Sequence, residues 1–397
     1  MAATVPETTG PGAPGPYDEE HSLFREALRD FVEREVRPNV EDWERARTTP
    51  RELIRRLGEL GFLGATLAPE HGGAGGDFWY TAILVEELVA AGSIGTTVSV
   101  LAHAEFAIKE IDHHGTEAQK REFLEPAVAG SKIGALAVTE PGAGSDVAAL
   151  ATRAVREGDE LVLNGSKTFI SNAGLCDFAT VAARTGGPGH EGISLILVPA
   201  DAPGFARGRR LEKIGTHASD TGELFFENCR VPAANILGPE NGGFRLIVHG
   251  FEGERLVLAL MCCRHMRVMW DEARRYGLER EAFGSPILGF QAWRHRLADA
   301  LTTIEAAQAL AYRAVDLYVR GEPCDKEISM AKLFAAESAI VVGRECAQIF
   351  GGYGYMEEYP IARLFRDTLA FTVGAGTSEV MREIIARRAG LLPGART

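Results

Sequence analysis

The hydrophobic period of this chain changes twice, and no other feature constrains its fold as strongly. From Tyr17 to about Gly134, apolar residues recur at three- and four-residue steps (Leu23, Phe24, Leu28, Phe31, Val32; then Leu53, Leu57, Leu60), the spacing of a buried helical stripe. Between about Ala135 and Gly243 the pattern becomes short runs bounded by Gly, Pro, Asn and Asp, such as Glu160-Leu161-Val162-Leu163, Ala179-Thr180-Val181-Ala182 and Ile193 to Val198. This all-β segment is the size of a small sandwich or barrel. From Phe244 the helical period returns. Arg255 to Tyr276 and Ala292 to Arg320 hold neither Pro nor Gly, which predicts two long helices. The order helix, sheet, helix lacks the alternating βα units of a dinucleotide-binding or P-loop fold. The expected class is α+β, with an N-terminal helical domain (17–134), a middle β-barrel or sandwich domain (135–243) and a C-terminal helical domain (244–397). Residues 1–16 carry several Pro, Gly and Thr, include Glu7 and lack Lys and Arg, so they read as a disordered lead-in unlike a mitochondrial presequence.

With 397 residues, 46% of them hydrophobic, the chain exceeds what one core serves and can enclose a large cofactor. A formal net charge of −13 argues against a nucleic-acid partner, which needs clustered Lys and Arg, but leaves room for a local basic groove. Nowhere do about 18 apolar residues run together, so neither a membrane span nor a signal segment is expected, and the cytoplasm is the expected compartment. The six cysteines form no Cys-x-x-Cys pair and have no His at zinc spacing, as suits reduced packing residues. His113 and His114 are adjacent and point apart on a helix, with Glu110 the one acid a turn away, so no metal site is expected.

Chemistry concentrates first at Ala137-Val138-Thr139-Glu140-Pro141-Gly142-Ala143-Gly144-Ser145-Asp146, where the β segment begins. Gly142 and Gly144 let the backbone approach a flat or phosphorylated ligand, and Thr139 and Ser145 offer hydroxyl and N–H groups to bond it. A plain Gly/Ser loop has the same composition. The glycines of His71 to Gly76 read as a loop between helices, since no strand precedes them, and those of Phe350 to Gly354 lie in a helical region.

The whole string Ala137 to Ala149 resembles the first signature of the acyl-CoA dehydrogenase family. The resemblance runs from Tyr17 to Arg388 through Asn164-Gly165-Ser166-Lys167, Tyr276 to Gln291, Gln348 to Gly354 and Gly374-Ala375-Gly376-Thr377-Ser378-Glu379. It implies a helical domain, a β domain and a C-terminal four-helix bundle that share one FAD. On it, Val138, Thr139, Gly144 and Ser145 hold the cofactor, the first two at the pyrimidine edge of the flavin. Phe169-Ile170-Ser171 covers the other face, with Ser171 reaching flavin N5. The family often has Trp and Thr where this chain has Phe169 and Ser171, and both changes keep an aromatic wall and a hydroxyl donor. Arg280, Phe283 and Gln291 match positions that bind the FAD pyrophosphate and adenosine of a neighbouring subunit, Gln348, Gly351 and Gly352 match others at that interface, and Thr377 and Glu379 complete the contacts. The resemblance therefore implies at least a homodimer, usually a dimer of dimers.

Dehydrogenation needs a carboxylate to take an α proton while hydride leaves the β carbon. In the commonest members that Glu precedes the Gly-Thr-Ser of the last motif, and here the position is Ala375. Isovaleryl-CoA and long-chain acyl-CoA dehydrogenases carry the base on an earlier helix, and Glu254, in Phe251-Glu252-Gly253-Glu254-Arg255, falls on that position. Acids at a helix N-terminus are also favoured by the helix dipole, which by itself would explain Glu252 and Glu254. With Ala375 in the other position, Glu254 is the expected base and Glu252, on another helix face, is expected in solvent. The N–H of Ala375 survives the substitution and, on the resemblance, bonds the thioester carbonyl.

The expected substrate is an acyl-CoA, a short branched one fitting the Glu254 placement best, with Ser145, Arg255, Ala375 and Gly376 at the thioester end and Leu258 to Cys263 along the acyl pocket or, for at least half of them, in the core. Acyl groups on a carrier protein share that thioester end, and the Ala, Arg and Gly bias suits a GC-rich bacterium. An electron-transfer flavoprotein is the expected acceptor. A flavin monooxygenase and a non-catalytic flavin-binding protein on the same fold are the alternatives, and neither needs Glu254.

Overall fold

The computed structural model describes residues 17–391; the expected lead-in, 1–16, and residues 392–397 lie outside the described residues. The N-terminal unit comprises α1 (Glu19–Phe31), α2 (Val40–Ala46), α3 (Arg51–Glu59), α4 (Phe78–Ala90), α5 (Ile94–Leu101), α6 (Lys109–His114), α7 (Glu117–Gln119) and α8 (Glu125–Val128). Asp18, Asp77 and Ser93 cap α1, α4 and α5 by accepting from backbone N–H groups left free in the first turn. Helix α4 is apolar on nearly all sides and is accordingly buried on nearly all sides. Its two buried acids, Glu86 and Glu87, are matched by Arg25 and Arg29 of α1 and by the Tyr312 hydroxyl.

The middle unit contains β1 (Gly134–Ala137), β2 (Arg153–Glu157), β3 (Glu160–Ser171), β4 (Phe178–Arg184), β5 (Ile193–Pro199), β6 (Phe205–Arg210), β7 (Thr221–Pro232) and β8 (Ile236–Leu237). They form one sheet in the order β6-β7-β3-β2-β4-β5-β8, with β1 parallel to β4. A single pairing, Arg153 with Arg184, joins β2 to β4, so the sheet bends there around one core. Period-2 alternation then splits β4 and β5 between two cores. Ala179, Val181, Ile196 and Val198 face the sheet's interior, while Phe178, Ala182, Leu195 and Leu197 pack on Ile108, Ile111, Phe123 and Leu124 of the helical unit. This double burial explains why both strands read as continuous apolar runs.

Helix α9 (Gly243–Glu279) is the spine of the molecule: 37 residues, or about 55 Å at 1.5 Å per residue. It begins well before the Gly-free stretch, because Gly250 and Gly253 serve packing. A Cβ at Gly250 would lie 2.7 Å from Glu110 Oε1, and one at Gly253 would touch Tyr318 and Phe78. The hairpin β9 (Glu281–Ala282) and β10 (Ser285–Pro286) leads to α10 (Gln291–Val319), α11 (Asp325–Ile349), α12 (Pro360–Asp367) and α13 (Ser378–Arg388). α9, α10 and α11 share one apolar core with α1, α4 and α5, which fixes the helical units against each other. All six cysteines are buried.

Candidate active site

Two segments that are distant in sequence meet on one face of α9. Arg255 donates from Nε to the Ala375 carbonyl at 3.4 Å, and Leu258 lies 3.9 Å from where a Cβ on Gly374 would sit. Glu254 stands one turn before Leu258 and so lies on the same stripe of α9. It lies eleven residues beyond Gly243, and Glu252 nine, so neither is a first-turn acid held by the helix dipole. Burial pushes the Glu254 carboxyl up to about 8, opposed by the Arg255 guanidinium and reinforced by the Glu110 carboxylate. No hydrogen bond to its carboxylate is formed among the described residues. Glu252 corrects the sequence expectation: it is half-buried, and burial raises its carboxyl too, with His249 opposing, because α9 is packed on more sides than an exposed helix.

The loop that Arg255 meets has an unusual backbone. Ala375 and Gly376 are both left-handed, φ 50° and 94°. Lys332, a lysine with no exposed surface on α11, donates to the Gly376 carbonyl at 2.6 Å. The N–H groups of Ala375, Gly376 and Thr377 donate to nothing among the described residues, whereas their neighbours Gly374 and Ser378 donate to Ala370 and Thr372. The Thr377 side chain caps α13 by accepting from Val380 N–H. A cleft of about 370 Å³ between this end and the β unit is lined by Ser145, Thr377, Glu379, Val380 and Arg387 among others, so the first and last sequence motifs meet.

The floor of the first motif is built on a second buried lysine. Lys167 of β3, wholly enclosed, donates to the Val138 carbonyl at 3.0 Å and to Glu140 at 2.7 Å, and Glu140 accepts from the N–H groups of Ala151 and Thr152. Thr168 N–H takes the Thr139 carbonyl at 3.0 Å. Val138 and Thr139 are thereby held rigidly beside β3. Above them a Cβ on Gly142 or Gly144 would meet nothing, so the protein's own packing does not require these glycines. Next along β3, a register shift between Lys167 and Ile170 turns Phe169 outward, left-handed at φ 60° and 68% exposed, with Ser171 partly buried beyond it. An exposed aromatic in a strained backbone gains nothing from its own chain. A flat aromatic ligand would bury it, so the residues at this site fit a flavin.

The other expected cofactor residues lie elsewhere. Arg280 caps the far end of α9, about 39 Å from Glu254 along a straight helix, and no side chain spans that distance. There its guanidinium lies 6.0 Å from the Tyr353 ring, placing it beside the Gly351–Tyr355 turn that follows Gln348. Phe283 occupies the hairpin turn at φ 53° and is 99% exposed, and Gln291, Gln348, Gly351 and Gly352 are exposed as well. Within one protomer the two groups of residues therefore lie far apart. Lys167 and Lys332 escaped sequence reasoning because lysine defaults to the surface; the signal that singles them out is an acid or a strained carbonyl brought near by the fold.

The fold and site define a class: a helical–β–helical protein whose longest helix carries a half-buried carboxylate next to the arginine that meets a loop of free N–H groups. Models of the acyl-CoA dehydrogenase N-terminal, middle and C-terminal domains match residues 18–131, 135–229 and 241–390. The chain is 40% identical to the mitochondrial long-chain specific acyl-CoA dehydrogenase of Rattus norvegicus over 94% of its length and 87% of that protein's. Among solved structures, a probable acyl-CoA dehydrogenase of Mycobacterium abscessus superposes with TM-score 0.92 at 42% identity, covering 94% and 99% of the two chains. A glutaryl-CoA dehydrogenase of Mycobacterium smegmatis in complex with FADH2 does so with TM-score 0.89 at 31% identity, covering 96% and 97%. The chain belongs to the acyl-CoA dehydrogenase family and is an acyl-CoA dehydrogenase enzyme.

Proposed function

We propose that the chain carries out FAD-dependent α,β-dehydrogenation of an acyl-CoA, with Glu254 as the base. The observation that supports this is that Arg255, next to Glu254 on α9, bonds the Ala375 carbonyl while the Ala375 N–H has no acceptor among the described residues. The thioester carbonyl accepts from Ala375, which lowers the α-proton pKa, and Glu254 removes that proton. FAD, when bound, supplies the hydride acceptor. Val138, Thr139, Gly144, Ser145, Phe169, Ser171, Thr377 and Glu379 would hold it from one protomer, and Arg280, Phe283, Gln291, Gln348, Gly351 and Gly352 from a second, in a homodimer or tetramer. Arg255, bonded to the Ala375 carbonyl, holds the loop in register with the base. Burial serves the chemistry: a carboxyl raised to about 8 is a far stronger base than an exposed glutamate once ionised.

The relatives named above act, by their names, on long-chain and glutaryl thioesters. Leu258 to Cys263 are all buried in the shared core, so most of that stretch shapes the pocket from behind. A short branched acyl group is the substrate proposed, an electron-transfer flavoprotein the acceptor and the cytoplasm the compartment; no helix among the described residues is long and apolar enough to cross a membrane. The test is anaerobic titration of the purified flavoprotein with short, branched and long acyl-CoAs, using wild type, Glu254→Gln and Glu252→Gln. Bleaching lost only in Glu254→Gln supports the reading. If no acyl-CoA bleaches wild type, the reading fails, and carrier-bound thioesters or an oxygen-dependent reaction take its place.

A further inference from the structure

We propose that Lys332 is a positioning residue of the thioester site, holding the Gly376 carbonyl so that the Ala375 N–H remains free and aimed for the substrate carbonyl; this rests on the proposed acyl-CoA dehydrogenation. The case begins with the backbone. Ala375 is a non-glycine residue at φ 50° followed directly by Gly376 at φ 94°, and L-residues leave the left-handed region unless their surroundings over-determine it. Two cations from two different helices supply that constraint. Arg255 of α9 takes the carbonyl of Ala375, and Lys332 of α11 takes that of Gly376 at 2.6 Å. With both carbonyls engaged, the peptide planes on either side of Gly376 are fixed. The N–H groups of Ala375, Gly376 and Thr377 then have no acceptor among the described residues, a concave run of donors suited to developing negative charge.

Lys332 is enclosed completely, and no carboxylate pairs with it among the described residues. A buried ammonium whose hydrogen-bond acceptor is a single peptide carbonyl is a costly arrangement for packing alone, since an apolar side chain of the same length would fill the space without desolvating a charge. A donor beneath the Gly376–Thr377 peptide, one residue on from the Ala375 whose N–H serves the substrate, accounts for it, and it is positively charged below about pH 8, to which burial lowers the ammonium. The charge also polarises the Gly376–Thr377 peptide and adds to the field stabilising an enolate above the loop. Lys332 itself touches neither substrate nor cofactor in this arrangement; it acts through the loop.

The experiment uses the purified holoenzyme with an acyl-CoA that first reduces the wild-type flavin anaerobically; if none does, the dehydrogenase reading fails before Lys332 is tested. Lys332→Met and Lys332→Arg are then compared for flavin content, the rate of flavin reduction at saturating acyl-CoA, and the affinity for free CoA, which lacks the thioester carbonyl. A misplaced donor should lower the saturating rate of Lys332→Met by roughly 10- to 100-fold. Free-CoA affinity should stay within twofold, and Lys332→Arg should recover a large part of the rate. A second readout is the exchange of α hydrogen for deuterium in a thioester that cannot lose hydride, which should fall in parallel. A saturating rate within threefold of wild type, or a loss of free-CoA affinity as large as the loss of rate, overturns the proposal. If Lys332→Met does not retain flavin, Lys332→Gln, which keeps a donor but no charge, is read against the same two limits.

Discussion

Replacing Glu254 by Gln should do two opposite things at once, and the magnitude of each follows from burial. The substitution keeps the volume and removes the charge. In the folded protein the carboxyl is raised from 4.5 to about 8 by desolvation. At about 1.4 kcal/mol per pH unit, that difference of about 3.5 bounds the cost of ionising Glu254 in place at about 5 kcal/mol. Because the folded pKa lies above the unfolded one, the native state holds a proton that the unfolded state releases between pH 4.5 and about 8. Wild-type stability is therefore intact below pH 4.5, falls across that window and levels off above it. Glu254→Gln has no such fall. Near pH 5 the two proteins should melt within a degree or two, and by pH 8.5 the variant should melt higher by roughly 5 °C or more. Its flavin reduction by an acyl-CoA should be lower by about 100- to 10,000-fold, the worth of a general base. Thermal melts of both proteins at half-unit steps from pH 5 to 9, paired with anaerobic stopped-flow reduction, measure both effects. Melting curves that stay parallel across the window would refute the buried titration, and reduction retained within tenfold would refute the assignment of the base.

Three further outcomes follow from the same geometry. The wild-type kcat/KM should rise with pH to a limb near 8 as Glu254 ionises, and a rate flat from pH 6 to 9 would remove it from the rate law. Lys167→Met, which strands Glu140 as a buried acid beneath the first motif, should cost about 3–5 kcal/mol and lower flavin content, read by melting and by flavin absorbance per protein; retention of full flavin at wild-type stability would refute this account. Phe283→Ala should leave the helix content of the chain unchanged while shifting sedimentation velocity toward smaller species and loosening flavin, because a 99% exposed Phe in a left-handed turn, with the Phe290 ring edge-on at 6.3 Å, is left almost wholly uncovered by its own protomer.

Much of the site was legible because it is written in local pattern. The two changes of period set the helical–β–helical order, and the string Ala137 to Ala149 marked where the sheet begins. The base had no such local mark: it was the resemblance to the acyl-CoA dehydrogenase family that, with Ala375 in one motif, pointed to Glu254 on the earlier helix. Other features had no local mark. The real start of α9 at Gly243 was hidden by Gly250 and Gly253, whose weak helix propensity is outweighed by the close approach of Glu110, Phe78 and Tyr318. The surroundings of Glu252 were misjudged because solvent on a helix face is decided by what packs there, not by spacing.

The sequence by itself determined which segments are helix and which are strand, and which residue types stand at each motif, since periodicity and turn chemistry act within about one turn or one strand. Only the tertiary structure decided that Arg255 meets the Ala375 loop, that Phe169 and Phe283 are strained and exposed, and that Lys167 and Lys332 are buried under the first and last motifs. Each of these depends on contacts between residues tens to more than a hundred positions apart, such as Arg255 with Ala375, and a lysine's burial or a carboxylate's pKa is a property of the enclosure those contacts build.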